Sequence, residues 1–136
     1  MINTPLYIID SIETNNFSDP NIIEKIQNIW KKSHHKLSGY SGNIYGIYHK
    51  YASDYKGDYT LSIATDMPYL TNAKEPLIAK GTYSIFKVKD NLHENIFAQW
   101  QNIWQLEEEK KIHRTYTLDF ERYSPNGNIE IFISIL

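Results

Sequence analysis

The chain has 136 residues, 41% hydrophobic and 22% charged, the balance of one soluble globular domain rather than a disordered, fibrous or membrane chain. Cysteine is absent, which excludes disulfides, thiolate metal sites and cysteine nucleophiles, and a net charge of -2 leaves no basic excess for counterion release on nucleic acid. The unusual quantity is aromatic, eleven Tyr, five Phe and three Trp, and tyrosine is both apolar and hydrogen-bonding, so the surplus needs a destination.

Met1 to Pro5 carries no positive start followed by a long apolar run, and no stretch approaches roughly 18 apolar residues, so a cytoplasmic location without membrane contact is expected. Leu6 to Ile12 reads as a strand. Asp19-Pro20 then offers a helix cap and a first-turn proline. Ile22, Ile23, Ile26, Ile29 and Trp30 follow the spacing of one helical face, predicting a helix over about 20–33. Ile44 to Tyr51 and Tyr59 to Ile63, separated by a turn near 54–58, alternate as a hairpin. Met67 to Lys80, with Pro68 and Pro76, reads as a connector.

The second half repeats the first. Thr82 to Val88 is a strand candidate, and a helix over about 92–109 carries Ile96, Phe97, Trp100, Ile103 and Trp104 at the same spacing. Within it Gln101-Asn102-Ile103-Trp104 repeats Gln27-Asn28-Ile29-Trp30 letter for letter. Asn91 with Glu94 makes a polar cap, and Glu107 to Lys111 a solvated helix end. Tyr116 to Tyr123 and Ile129 to Ile133 form a second hairpin around Asn126-Gly127. The expected fold is α+β: a duplicated β-α-β-β unit with pseudo-twofold symmetry, its antiparallel sheet carrying two helices on one face. One domain spans 1–136, with halves at about 1–67 and 77–136, and a cleft between the halves is the natural ligand site.

Three segments resemble the GyrI-like effector-binding domains, found in multidrug-sensing transcription regulators related to the AraC type and in stand-alone bacterial proteins. They are Tyr45-Gly46-Ile47-Tyr48 with Asp54, Gly57, Asp58, Tyr59 and Thr60; Gly81-Thr82-Tyr83-Ser84-Ile85-Phe86; and Asp119-Phe120-Glu121-Arg122-Tyr123 with Ile129 to Ile133. The chain departs from that pattern at Ala79-Lys80 and Ala64-Thr65-Asp66, where the family has a proline with a small residue and a glycine with an acidic residue. The resemblance implies an aromatic pocket between the halves, with a glutamate at Glu121 recognising cationic or electron-poor ligands.

A strand glutamate ordinarily points to solvent, and Thr117, Asp119, Glu121 and Tyr123 share one polar face opposite Leu118 and Phe120. Glu121 is nonetheless the first ligand-binding candidate through the resemblance. Trp100 and Trp104 lie on an apolar helix face that could be core or pocket wall, and Trp30 has the same core reading. Tyr45 and Tyr48 occupy opposite faces of one strand, so they cannot both enter a pocket, and neither alternation nor resemblance chooses between them. Tyr83 is a wall candidate. Tyr51 and Tyr123 read as equivalent structural strand ends, an alignment that sets His49 opposite Glu121.

His34-His35 diverge at a helix end and His93 lacks a zinc-helix partner, so no metal and no cofactor is expected. The leading expectation is a stand-alone protein, monomer or homodimer, capturing a small hydrophobic ligand, cationic or planar, without direct nucleic-acid contact; a transcriptional role would need a partner protein. Two alternatives use the same chain differently: a hydrolase of electrophilic small molecules with Glu121 as base, as some resembling stand-alone proteins are, or a protein-binding, gyrase-inhibitor-like module. Seven of the eleven tyrosines fall between Tyr40 and Tyr69, while two of the three tryptophans and Glu121 lie in the second half. One half thus supplies aromatics and the other the charge.

Overall fold

The period-two segments become strands of one antiparallel sheet in the computed structural model, which describes residues 1–68 and 75–136. In chain order the elements are β1 (Ile2–Thr14), α1 (Ile22–Lys36), β2 (Ile44–His49), β3 (Tyr59–Thr65), β4 (Leu77–Gly81), β5 (Tyr83–Lys87), α2 (Ile96–Glu108), β6 (Leu118–Tyr123) and β7 (Ile129–Ser134). The strands lie in the order β4-β1-β3-β2-β6-β7-β5, so the two halves join through β2 and β6 at the centre. This is the expected α+β fold with a duplicated unit.

The order forces curvature. β4 and β5 stand at opposite edges of the sheet yet are separated by Thr82 alone, so the sheet curls until its edges meet. Gly81 turns that corner at φ +129, a conformation that side chains rarely adopt, and Ile135 N–H donates to Thr82 C=O there at 3.0 Å. The concave face is filled by a cluster drawn from nearly every strand, including Leu6, Tyr45, Ile47, Ala79, Phe120 and Phe132, with Tyr83 packed against it. Phe120 and Phe132 stack at 4.5 Å. Both helices cover the convex face: α1 with Ile29 over Leu61 and Ile63, α2 with Trp100 and Ile103 over Ile129, Ile131 and Ile133. Every residue of β3 is buried because both its faces are covered.

Several sequence expectations change. Met67 to Lys80 is not only a connector, since Leu77–Gly81 pairs with β1 from Leu6 to Ile2; its residues 69–74, Tyr69 among them, lie outside the described residues. β1 extends well beyond Leu6 to Ile12 at both ends. Asn91 does not cap α2 but binds the β6–β7 turn, accepting from Ile129 N–H at 3.0 Å. Glu107 and Glu108 are not simply solvated, because they accept from the hydroxyls of Tyr116 and Tyr55. The alignment of His49 with Glu121 also fails. The first hairpin turns over residues 50–58 and the second over 124–128, so counting back from Tyr51 and Tyr123 lands on opposite faces of the sheet. His49 bonds Ser62 at 2.8 Å from the concave side, whereas Glu121 projects among the helices.

Candidate functional site

Between the two helices, above β2 and β6, the convex face opens into a cavity of about 620 Å³. Strand alternation decides what reaches it. On β6, Asp119, Glu121 and Tyr123 point outward toward the helices while Phe120 joins the concave core. On β2, Tyr48 and Gly46 share that outward face, and Gly46 pairs directly with Glu121. A Cβ at Gly46 would stand 3.3 Å from Trp30 Cζ2 and 3.4 Å from Glu121 Oε1. The missing side chain therefore lets the indole of α1 and the carboxylate of β6 settle onto the floor together.

Glu121 is 3% exposed. Its Oε2 accepts from Trp100 Nε1–H at 2.7 Å and from the Tyr48 hydroxyl at 2.8 Å, while Oε1 accepts from the Tyr123 hydroxyl. All three donors are neutral, and among the described residues no cation pairs with the carboxylate. Burial pushes the carboxyl above its ordinary value, and the bonds from Tyr123, Trp100 and Tyr48, with a Coulombic contribution from nearby His93, only partly offset it. Desolvation, then the neighbouring Glu121 charge, holds the Tyr48 and Tyr123 hydroxyls far above the usual phenol range, so both act as donors.

The walls are aromatic. Tyr48 meets Trp100 edge to face at 4.9 Å, Trp30 meets Tyr123 at 5.2 Å, and His93 stacks on Tyr123 at 5.6 Å. At the opposite mouth Tyr55 stacks on Trp104 at 5.2 Å, with Phe17 and Phe97 against the same indole, each 59% exposed. A short distance along β6, Asp119 pairs with Arg114 at 2.7 Å and accepts from the Tyr51 hydroxyl at 2.5 Å. Arg114 lines the cavity too.

Of the sequence candidates, the structure gathers Glu121, Trp100, Trp104 and Tyr48 around this one cavity. It does not bring Tyr45 or Tyr83 to it. Tyr45 packs on Phe120 in the concave core and donates to Asp66 at 2.9 Å; Tyr83 packs on Phe120 and Phe132 and donates to Leu118 C=O at 2.8 Å. Residues read as structural or core do line it, namely Trp30, Tyr51 and Tyr123. Tyr123 was legible as lying two residues beyond Glu121 on the same strand face. Arg114 gave no periodic signal, because it lies outside any strand, its backbone meeting the sheet in an isolated bridge to Ile135. No cluster of three or more metal-ligating His, Asp or Glu side chains occurs among the described residues, and none of their helices is long and apolar enough to cross a membrane.

Known proteins share this fold. The family model Cass2, integron-associated effector binding protein, matches residues 7–135. A comparison with curated protein sequences gives no match. Among solved structures, the integron cassette protein VCH_CASS2 from the mobile metagenome of Vibrio cholerae superposes with a TM-score of 0.80 at 22% identity, covering 100% of this chain and 92% of that one. The protein SAV2435, solved bound to tetraphenylphosphonium, superposes with a TM-score of 0.70 at 13% identity, covering 100% of this chain and 90% of that one. At these identities the likeness speaks for the fold.

Proposed function

The chain belongs to the integron-associated effector-binding proteins, and on that premise we propose that it captures a lipophilic cation in the cavity between α1 and α2, with Glu121 as countercharge. The observation that carries this reading is the state of Glu121: a buried carboxylate on an aromatic floor, held by three neutral donors and paired with no cation among the described residues. An isolated buried charge is costly, and a cationic guest supplies the missing partner. Aromatic faces add about 2 kcal/mol each when they meet a desolvated cation and less at an exposed site. The volume suits a drug-sized molecule. A neighbour of the same fold solved with a tetrahedral lipophilic cation supports the choice of ligand class.

Calorimetric titration with tetraphenylphosphonium tests the reading. Saturable one-to-one binding that weakens in Glu121→Gln is expected; no heat and no change in tryptophan fluorescence with any lipophilic cation would refute it. The raised carboxyl also has the character of a general base, and hydrolysis makes a distinct demand: an electrophilic ester or epoxide turned over by wild type, and bound but not consumed by Glu121→Gln.

A further inference from the structure

The cavity has unlike ends. Near Glu121 its border includes the polar side chains of His34, His93, Ser124 and Asn128. Away from Glu121 the wall runs from Trp100 to Trp104, one helical turn or about 6 Å along α2, and reaches Tyr55 and Phe97, with Phe17 set against the Trp104 indole. Charge in this second half is already matched: Arg114 pairs with Asp119 at 2.7 Å and lies 3.5 Å from Glu107, and Glu108 is exposed to water. A positive centre therefore has its place at Glu121, and the part of a guest lying beyond Trp100 is best uncharged.

Phe17 and Phe97 are each 59% exposed, and both touch the indole of Trp104, which lines the cavity. Apolar surface thus continues from the cavity wall out into water, where further burial is favourable. The rings there already occupy one another: Tyr55 lies nearly parallel to Trp104 at 14°, while Phe17 and Phe97 meet it at 51° and 80°. Such packing leaves ring edges and narrow clefts, which receive a flexible methylene chain more readily than another flat ring. We infer that the guest is an amphiphilic cation, its positive head at Glu121 and an unbranched alkyl arm passing Trp100 and Trp104 to lie on Phe17 and Phe97. This rests on the cation-capture reading and adds to it the shape of the guest.

Butyl-, octyl- and dodecyltrimethylammonium, kept below their micelle-forming concentrations, test it by isothermal titration calorimetry, with tetraphenylphosphonium as reference. A fully buried methylene is worth up to about fourfold in affinity, so dodecyl should bind at least about tenfold tighter than butyl. Phe17→Ser should cut that dodecyl-to-butyl ratio by about fivefold, and Phe97→Ser, which strips the other side of Trp104, should do the same. Ile85→Ser removes an apolar side chain that is 51% exposed on β5, outside the cavity lining, and should leave the ratio as it is. Glu121→Gln should weaken butyl and dodecyl by the same factor, since both keep the head in one place. Tetraphenylphosphonium binding with dodecyl no tighter than butyl overturns the inference alone. A ratio undiminished by both phenylalanine variants, or lowered as much by Ile85→Ser, also overturns it, as does dodecyl affinity that ignores Glu121→Gln. Failure of tetraphenylphosphonium and all three ammonium ions to bind overturns it together with the cation reading.

Discussion

Glu121→Gln changes one terminal group and separates charge from shape. A cation about 5 Å from the carboxylate, in a partly dry site of effective dielectric near 20, gains about 3 kcal/mol, so removing the charge should weaken tetraphenylphosphonium binding about a hundredfold. Neutral triphenylphosphine oxide, which fills similar space, should change by less than about threefold on the same Coulomb argument. The same substitution tests the cost of burial. Because the folded carboxyl is raised above its ordinary 4.5, the folded state holds that proton more tightly than the unfolded chain, and stability contributed by Glu121 falls as pH rises through the folded value. The variant should therefore melt higher than wild type at neutral pH, with the advantage shrinking toward pH 4.5. Wild-type affinity for the cation should fall over that interval as the carboxyl takes up its proton. Calorimetry and thermal melting read both effects. Equal losses for the cation and the neutral oxide, or a variant less stable at neutral pH, would refute the argument that Glu121 is an uncompensated charge awaiting a guest.

Gly46→Ala places a methyl against Trp30 and Glu121, and should lower stability by about 1 kcal/mol, seen as a melting shift of a few degrees, while weakening cation binding. Tyr45→Phe, on the concave side, should cost about 1 kcal/mol through the lost bond to Asp66 and leave affinity unchanged. Tyr48→Phe instead strips a donor from Glu121, raising its carboxyl further and moving the pH dependence of binding upward, which titrations at several pH values would show. His49, buried against Ser62 and held down to about 4 by desolvation and then by Lys50, is neutral when folded. The unfolded chain binds more protons at His49 below pH 6.5, so the stability contributed by His49 should fall between pH 6.5 and 4 by up to about 3 kcal/mol, and His49→Gln should remove that component of the pH slope in denaturant melts.

The duplication was legible because two helices share a tetrapeptide and a face, and period-two hairpins follow each at similar distance. Chain pattern alone could not reveal β4: Leu77–Gly81 is short, follows Pro76 directly, and owes its strand character to the β1 partner rather than to its own alternation. Within the site, alternation correctly opposed Tyr45 to Tyr48, but choosing between them required knowing which face lies under the helices. That depends on curl, a property of the whole sheet. Tyr51, Tyr123 and Trp30 were read as packing residues, and they do pack; a wall of this cavity is built from the same contacts as core, so composition cannot separate the two roles. Arg114 escaped because its meaning lies in Asp119, and that meeting is tertiary.

The meeting of β4 and β5 at Gly81 has a mechanical consequence for how guests are admitted. With the sheet edges drawn together and the concave side filled by Tyr45, Phe120 and Phe132, the two halves cannot rock about β2 and β6 without tearing a packed interior. Accommodation therefore falls to the far mouth, where the rings of Phe17, Tyr55, Phe97 and Trp104 contact one another and Phe17 and Phe97 are largely in water. The result is a stiff floor bearing the charge beneath a soft aromatic rim. On the proposed cation-capture reading, guests of different girth would be sorted by ring rotation at the entrance, while the position of the positive centre stays fixed.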